Sequence, residues 1–393
     1  MKALTWHGRR DVRVEEVSDP AIKEPTDAIV KVTTSAICGS DLHLYEVLGP
    51  FLHEGDILGH EVIGVVEEVG SDVGQIKPGD RVVVPFNIAC GHCFMCQKEL
   101  YAQCETTQVK EHGTGAALFG YTELYGSVPG GQAEYLRVPQ AQFGPVSVPA
   151  EGPDERFVYL SDVLPTAWQA VEYADLPPEG GSVTVFGLGP IGQMSTRIAR
   201  HRGHRVIGVD GVDERLEMAR RHGIEVLDAR ESGVAERIKD LTGGRGTDSV
   251  IDAVGMEAHG SPVAKLGHAV TGLLPDALAA PLMRTAGVDR LAALLESIDA
   301  VRRGGTISVV GVYGGMADPL PMLRIFDKGI TLRMGQAHVR RWIPHLMPLV
   351  LDEADPLGVM DLATHKLPLE EAPHGYEIFQ KKRDGAIKVL LTP

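Results

Sequence analysis

Residues 182–210 read SVTVFGLGPIGQMSTRIARHRGHRVIGVD, two apolar runs joined by a glycine-rich turn and a helical segment. An apolar run leads into G-x-G-x-x-G at Gly187, Gly189 and Gly192, a helical segment follows, and a second apolar run ends at Asp210. In such a unit the glycines let backbone N–H groups approach a pyrophosphate, and an acidic residue about twenty positions on takes ribose hydroxyls. The stretch therefore predicts a dinucleotide site at the first turn of a parallel sheet.

Three more short apolar runs follow this unit. They are HGIEVLDARE (222–231), GTDSVIDAVG (246–255) and GGTISVVGVYGG (304–315). Continuous short runs of this kind are typical of strands buried on both faces of a parallel sheet. We predict a six-stranded, doubly wound sheet of the Rossmann type in an α/β protein, whose 393 residues call for a second domain.

The amino-terminal part of the chain is patterned differently. Short β-branched runs alternate there with turn signals in DAIVKVTTSAIC (27–38), HEVIGVVEEVG (60–70) and KPGDRVVVP (77–85). This alternation predicts a compact, barrel-like β domain. Polar residues between the runs are then expected on loops held by a rigid frame.

Four of the five cysteines lie close together in CGHCFMCQKELYAQC. Cys90, Cys93, Cys96 and Cys104 have the spacing C-x2-C-x2-C-x7-C, which lets four thiolates close a tetrahedral shell around a structural zinc. An iron–sulfur cluster is the alternative. The ferredoxin-like run has a last gap of three residues followed by proline, whereas the last gap here is longer and Glu105 follows, so the spacing favours zinc.

The remaining cysteine, Cys38, opens CGSDLH, and His60 stands in GHE. A thiolate and a neutral imidazole are ordinary zinc ligands, and a catalytic zinc takes three protein ligands and leaves one position open. A lone cysteine or histidine is more often a packed residue, but the combination predicts a catalytic zinc with a third ligand elsewhere in the chain. Ser40 and His43 are candidate carriers of a proton.

Together these motifs resemble the medium-chain, zinc-dependent alcohol dehydrogenases over nearly the whole chain. The resemblance implies an NAD-binding Rossmann domain at 164–329 and a β-rich, GroES-like catalytic zinc domain at 1–163 and 330–393, with its four-cysteine lobe at 90–104. The carboxyl-terminal run DLATHKLPLEEAPHGYEIFQKKRDGAIKVLLTP resembles the segment that returns to complete the catalytic domain.

The resemblance also implies roles for single residues. Asp162 stands where the family has its third catalytic zinc ligand, although many members carry cysteine there; its alternative role is to cap the following helix. Ser40 would pass the substrate proton through the cofactor ribose to His43, and Glu61 resembles a nearby carboxylate that can enter the metal shell. Implied cofactor contacts are Thr166, Gly187, Gly189, Pro190, Ile191, Gly192, Asp210, Arg215, Val254 and Val312.

The implied activity is the interconversion of an alcohol and an aldehyde or ketone, with NAD and two zinc ions per chain. Asp162 and a segment between Met256 and Val288, expected against the cofactor, resemble the glutathione-independent formaldehyde dehydrogenases and aldehyde dismutases. That activity, with tightly held NAD, is the alternative. A zinc-free quinone reductase or a structural protein on the same fold is a third, which the metal-binding residues oppose. We expect NAD rather than NADP, because Asp210 would repel a 2′-phosphate and Gly211 offers no cation.

Composition limits the partners. A net charge of −15 argues against nucleic acid, which basic surfaces bind. The first residues lack the apolar core of a signal peptide, and no run of about 18 apolar residues is found. We therefore expect a cytoplasmic enzyme that acts on a small alcohol or aldehyde without a membrane. A homo-oligomer is implied by resemblance, with a tetramer favoured over a dimer.

Overall fold

The structure, a computed structural model, describes residues 1–178, 180–255, 291–313 and 320–393. The strands are β1 (Lys2–Gly8), β2 (Asp11–Glu16), β3 (Ala28–Ile37), β4 (Glu61–Val69), β5 (Arg81–Val84), β6 (Tyr135–Val138), β7 (Val146–Ser147), β8 (Ser182–Phe186), β9 (Arg205–Asp210), β10 (Glu225–Asp228), β11 (Thr247–Asp252), β12 (Val301–Val309), β13 (Thr331–Met334), β14 (His365–Pro368) and β15 (Val389–Thr392).

The α-helices of the described ranges are α1 (Gly39–Glu46), α2 (Phe94–Gln97), α3 (Val163–Tyr173), α4 (Pro190–His201), α5 (Asp213–Arg221), α6 (Val234–Leu241), α7 (Ala292–Ala300), α8 (Met322–Lys328), α9 (Val339–Leu351) and α10 (Ala372–Lys381). Short 3-10 helices span Gly49–Phe51, Tyr101–Gln103, Lys110–His112, Glu123–Tyr125, Asp154–Arg156, Val158–Ser161, Val359–Asp361 and Leu369–Glu371.

The chain forms two compact units. The first contains Met1–Pro165 and Ala337–Pro393, and the second contains Thr166–Gln336. The first unit is therefore discontinuous in sequence. The predicted change of domain after residue 329 is corrected to Gln336, because β13 pairs with β12 and so belongs to the sheet of the second unit. The other change of unit lies at Pro165, within α3, rather than at residue 163.

The first unit is built on a β-sheet with strand order β14-β15-β3-β4-β5-β7, to which β6 adds by pairing with β3. Its apolar core includes Val30, Val62 and Val82, whose β-branched side chains suit a pleated, half-buried surface. The carboxyl-terminal strand β15 runs antiparallel to β3 and pairs Val389 with Ile37. This register brings the end of the chain beside the residue that precedes Cys38.

The second unit has a six-stranded sheet with strand order β10-β9-β8-β11-β12-β13, and all five neighbouring pairs are parallel. The order reverses between β8 and β11, as in a doubly wound fold that binds ligands where the strand order changes. Its core is apolar and fully enclosed, with Ile207, Val250 and Ile307 at 0% exposure. The predicted Rossmann sheet is confirmed.

Several predicted features lie at or beyond the ends of the described elements of this unit. Val254 and Val312, the implied cofactor contacts, lie just beyond strand ends, because β11 ends at Asp252 and β12 at Val309. The segment from Met256 to Val288 lies outside the described residues. Within the described ranges, no helix combines the length and apolar character that a membrane span requires.

Candidate metal centres and nucleotide-binding turn

The predicted ligands of the catalytic zinc come from three separate elements. Cys38 follows β3 and caps α1, His60 immediately precedes β4, and Asp162 lies between the 3-10 helix Val158–Ser161 and α3. Together with Glu61, they offer ligand atoms that all lie within 4.8 Å of one another. All four side chains are buried, so the cluster is formed inside the first unit.

The spacing of these donors suits one small ion. Asp162 Oδ2 lies 3.3 Å from Cys38 Sγ and 3.6 Å from His60 Nε2. Zinc bond lengths in a tetrahedron place neighbouring ligand atoms roughly 3.3–3.8 Å apart. Asp162 therefore directs its carboxylate toward the other two donors, as a ligand would. A thiolate, an imidazole and a carboxylate fit zinc chemically as well.

The protonation of Cys38 depends on the charges that share the cluster. Burial raises the pKa of its thiol to about 11, and the carboxylates of Asp162 and Glu61 add to that shift. A positive ion in the cluster would lower this pKa and favour the thiolate, because it would offset the cost of another buried negative charge.

A series of buried polar residues leads from His60 to Tyr376. Asp41 Oδ1 lies 3.1 Å from His60 Nδ1, and Asp41 Oδ2 accepts hydrogen bonds from the Cys38 N–H (2.9 Å) and from Gln132 Nε2 (3.2 Å). Tyr376 in turn donates to Gln132 Oε1 at 2.8 Å. Burial lowers the pKa of His60, but Asp41 and the other partners raise it well above its usual value. Groups in this position fix the ring of a metal-binding histidine.

Glu61 has a partner that the sequence analysis did not single out. The Lys388 ammonium donates to the Glu61 carboxylate and, at 3.0 Å, to the carbonyl oxygen of Ile37. Burial raises the pKa of Glu61, and Lys388 opposes that shift. The only sequence signal was a lysine inside the apolar strand pattern AIKVLL. Asp41 belonged to the quoted CGSDLH motif, whereas Gln132 and Tyr376 gave no signal.

The proposed proton carriers lie on α1. Ser40 Oγ is 3.2 Å from His60 Nε2, so the hydroxyl borders the metal-binding cluster. His43 lies three residues further along the same helix, where side chains share a face, and it is 7% exposed. Thr166 belongs to α3, four residues after Asp162.

The four-cysteine lobe surrounds one compact centre. Cys90 Sγ and Cys96 Sγ are 3.9 Å apart, as are Cys93 Sγ and Cys104 Sγ. A zinc–sulfur bond length of ~2.3 Å implies sulfur–sulfur edges of about 3.8 Å, so the lobe suits a single ion. An iron–sulfur cluster would spread its cysteines over several irons. The cysteines are free thiols, as a metal site requires.

Hydrogen-bond donors in the lobe favour thiolates. Thr106 Oγ1 donates to Cys90 Sγ at 3.1 Å, and the Glu105 N–H donates to Cys93 Sγ at 3.4 Å. Burial raises the pKa of Cys93, but backbone and thiol donors outweigh it and bring the pKa to about 6. Deeper burial raises the pKa of Cys96.

In the second unit, the glycine turn joins β8 to α4. Gly187 has φ +84°, Gly189 caps the helix, and Pro190 is the first helical residue. A Cβ on Gly192 would lie 1.8 Å from the Gly187 carbonyl oxygen, so only glycine fits this turn. Ile191 lies between Pro190 and Gly192 in the first turn of α4. The N–H groups at the N-terminus of this helix suit a pyrophosphate.

Asp210 ends β9 beside this turn. Its Oδ2 accepts the Leu188 N–H at 2.6 Å, its Oδ1 accepts the Val212 N–H at 2.9 Å, and Arg215 Nη1 lies 3.6 Å from Oδ2. The carboxylate therefore also supports the turn itself.

The expectation that no cation lies beside Gly211 is corrected. A Cβ on Gly211 would lie 3.5 Å from Cγ of Arg230, so the stem of that arginine packs against the glycine. Its guanidinium is paired with Asp213 and Asp228, and the pairing lowers the pKa of Asp228 to about 2. Because two carboxylates already neutralise Arg230, it is a poor partner for a 2′-phosphate.

Val254 and Val312 flank the remaining strand ends. The Val254 N–H donates to the buried Asp252 Oδ1 at 3.0 Å, and Gly187 would contact Val254 if it carried a Cβ. Val312 is 40% exposed. Both residues therefore follow carboxyl ends of parallel strands, where ligands bind in open α/β sheets.

Comparison with known proteins places the chain. The family profile "Alcohol dehydrogenase GroES-like domain" matches residues 24–149, and "Zinc-binding dehydrogenase" matches residues 190–268. The chain is 42% identical over 399 residues to the zinc-type alcohol dehydrogenase-like protein AdhB of Bacillus subtilis, with 100% of both chains covered. It is 34% identical over 406 residues to formaldehyde dismutase of Pseudomonas putida, covering 97% of this chain and 95% of that protein. The structure of the alcohol dehydrogenase TADH from Thermus sp. ATN1 matches with TM-score 0.82 and 34% identity, covering 100% of this chain and 99% of that chain.

Proposed function

The chain belongs to the zinc-dependent, medium-chain alcohol dehydrogenase family, and on that premise we propose that it interconverts an alcohol and an aldehyde or ketone with NAD. The observation that carries this proposal is the convergence of Cys38, His60 and Asp162 donor atoms within 4.8 Å. Three protein ligands leave a position open for substrate, which distinguishes a catalytic zinc from the closed four-cysteine lobe.

The catalytic residues have separate roles in this proposal. Cys38, His60 and Asp162 hold a zinc ion, which when bound polarises the oxygen of the substrate. Ser40, whose hydroxyl borders the cluster, receives the proton that leaves the alcohol, and His43 is the group to which it passes on. Asp41, whose Oδ1 lies 3.1 Å from His60 Nδ1, is the carboxylate beside the ring nitrogen that does not face the cluster.

The second unit holds the cofactor. Backbone N–H groups at the start of α4 bind the pyrophosphate of NAD, and Asp210 binds the adenosine ribose. Thr166, Arg215, Val254 and Val312 are further cofactor contacts. The four-cysteine lobe holds a second zinc, which gives two per chain, and that ion stabilises the fold rather than the reaction.

The test is an activity screen of small alcohols and aldehydes with NAD and with NADP, before and after treatment with a chelator. We expect turnover with NAD that is lost when the catalytic ion is removed and restored by zinc. Full activity in metal-free protein would refute the proposal. One zinc per chain in the purified protein would mean that only the four-cysteine lobe is filled, which would support a reductase without catalytic zinc or a structural protein.

A second candidate is a glutathione-independent formaldehyde dehydrogenase or aldehyde dismutase with tightly held NAD. Asp162 as a metal ligand favours it, as does the similarity to a formaldehyde dismutase over 97% of this chain. A dismutase oxidises one aldehyde and reduces another on the same cofactor. It should therefore convert formaldehyde to formate and methanol in equal amounts without added NAD, whereas a dehydrogenase should need the cofactor in every turnover.

We also propose that the chain forms a homo-oligomer. Among the described strands, β13 is the edge of its sheet, and large apolar side chains on it and on the preceding α8 are exposed. They are Met322 (62%), Leu323 (81%), Phe326 (84%) and Met334 (62%). An open strand edge beside an apolar face suits a second copy of the chain. Light scattering of the purified protein, compared with Phe326→Glu, tests this assembly and separates a tetramer from a dimer.

A further inference from the structure

Among the ion pairs of the described residues, the pair between Lys388 and Glu61 is the least exposed to solvent. Both side chains have 0% exposure. Lys388 lies next to Val389, which pairs with Ile37 in the sheet, and the Ile37 carbonyl accepts a hydrogen bond from its ammonium. The position of the ammonium is therefore fixed by the backbones of β15 and β3.

Glu61 has one oxygen that this pair does not use. Lys388 binds Oε1, while Oε2 is buried and has no hydrogen-bond partner among the described residues. A ligand atom of Glu61 lies within 4.8 Å of those of Cys38, His60 and Asp162. The carboxylate is therefore close enough to become a fourth protein ligand of an ion held there, and it already has a free oxygen.

Charge decides whether it does so. With Cys38 and Asp162 negative and His60 neutral, a zinc ion in this shell has no net charge. Lys388 cancels the charge of Glu61, so the glutamate gains little by moving to the ion. Without the lysine, the metal ion would be the strongest positive charge near the buried Glu61 carboxylate among the described residues, and an uncompensated charge inside a protein is costly.

We propose that Lys388 is a positioning residue that keeps Glu61 out of the open coordination position of the catalytic zinc. This inference rests on the proposed function, because it needs an ion at Cys38, His60 and Asp162. The lysine that directly precedes the carboxyl-terminal strand thus keeps this coordination position open for the substrate. Loss of the lysine should therefore strengthen metal binding while closing the site to exogenous ligands.

The test compares the wild type with Lys388→Met. Zinc release to a chromogenic chelator should show two phases, one for each site, and the catalytic phase should slow by about tenfold or more in the variant. With cobalt(II) in the catalytic site, azide should change the visible spectrum of the wild type and leave that of the variant unchanged. Turnover should fall while zinc stays at two per chain.

Three further variants isolate the cause. Lys388→Arg keeps the positive charge and should behave like the wild type. Glu61→Gln/Lys388→Met removes both charges and should restore the azide response. Lys366→Met breaks an exposed lysine–glutamate pair in the same unit and should change nothing. Lys388→Gln still donates hydrogen bonds without a charge, so it repeats the test if the methionine variant does not fold.

Two results would overturn the inference. One is an unchanged azide response and zinc release rate in Lys388→Met or Lys388→Gln. The other is a double variant that stays closed to azide, since Glu61 would then not be the blocking group. A wild type that holds only one zinc would refute the proposed function as well, so the two failures are distinguishable.

Discussion

Cys38 Sγ and Asp162 Oδ2 lie 3.3 Å apart although 124 positions separate them in the sequence. Cys38 follows the central strand β3, and Asp162 precedes the helix that leads out of the first unit. The pair therefore brings a residue at the end of a central strand into contact with one of the last residues before the change of unit at Pro165. The charges of this pair, with the neutral His60, balance those of Zn²⁺, so removing either should destroy the site.

The variant Asp162→Ala should hold one zinc per chain rather than two and lose turnover by roughly a thousandfold or more, since metal polarisation supplies several kcal/mol of catalysis. The lobe and the fold should survive. Asp162→Cys, which supplies a thiolate instead, is the control and should keep both ions. Elemental analysis alongside turnover is the measurement. Two zinc ions and full activity in Asp162→Ala would show that Asp162 only caps α3.

Asp210 should set the preference for NAD. Asp210→Gly should lower kcat/KM with NAD and narrow the preference for NAD over NADP. This variant also removes the acceptor for the Leu188 N–H. Asp210→Asn keeps an acceptor and removes only the charge. We expect its ratio of kcat/KM for NAD to that for NADP to fall by about tenfold or more, because repulsion of the 2′-phosphate is lost. A wild type that uses NADP better than NAD would contradict this role.

Two glycines of the turn should respond differently to alanine. The Cβ of Gly192→Ala would meet the Gly187 carbonyl at 1.8 Å, so both stability and NAD binding should fall, the former by about 1–3 kcal/mol. The nearest atoms to a Cβ on Gly189 are 3.9 Å away, on Arg215. Gly189→Ala should therefore leave the thermal midpoint of unfolding unchanged. It should weaken the binding of NAD by about tenfold, since only the approach of the pyrophosphate is blocked.

Calorimetry and NAD titration of both variants measure the difference. Equal loss of stability in the two would contradict the packing argument. Unchanged NAD affinity in Gly189→Ala would mean that the pyrophosphate does not approach this backbone.

The ion pairs of His7 with two glutamates should stabilise the folded protein to an extent that depends on pH. Its Nε2 lies 2.7 Å from Glu15 and its Nδ1 lies 3.1 Å from Glu54. Burial lowers the pKa of His7, but the two carboxylates outweigh it and raise the pKa above 6.5. Because the folded state holds the proton more tightly, this contact stabilises the protein fully below pH 6.5 and is lost as pH rises through the raised pKa.

Nuclear magnetic resonance titration of the His7 ring should give a midpoint above 6.5, and Glu54→Gln should lower it. His7→Gln should remove the matching decline of thermal stability between neutral and mildly alkaline pH. A His7 midpoint at or below 6.5 would show that the carboxylates do not hold the ring in its charged form.

Local motifs made much of this molecule predictable. The glycine turn needs Gly187 and Gly192 for contacts within a few residues of each other, so its pattern is readable in sequence. The four cysteines of the lobe span fifteen residues and likewise carry their geometry in their spacing. The alternating and continuous apolar runs predicted the strands β3, β4 and β5 and the parallel sheet for the same reason, because strand periodicity is a local property.

The boundary in the carboxyl-terminal part was less accurate. The sequence pattern no longer resembled repeated βα units after residue 329, but β13 is a short edge strand whose membership is decided by pairing with β12. Arg230 is a similar case, since its stem reaches Gly211 from the end of the neighbouring strand β10. Neighbours across a sheet are set by strand order, which the residues themselves do not spell out.

Residues close together in the chain carried the two fold types, the spacing of the cysteine lobe, the glycine turn and the candidate ligands Cys38 and His60, so local patterns were enough to predict them. What surrounds Cys38 and His60 depends instead on contacts between distant parts of the chain. Lys388 meets Glu61 across 327 positions, and Tyr376 reaches Gln132 across 244. Such contacts exist because strand register and helix packing bring together side chains that no local pattern connects, and burial then makes each buried charge depend on its partner.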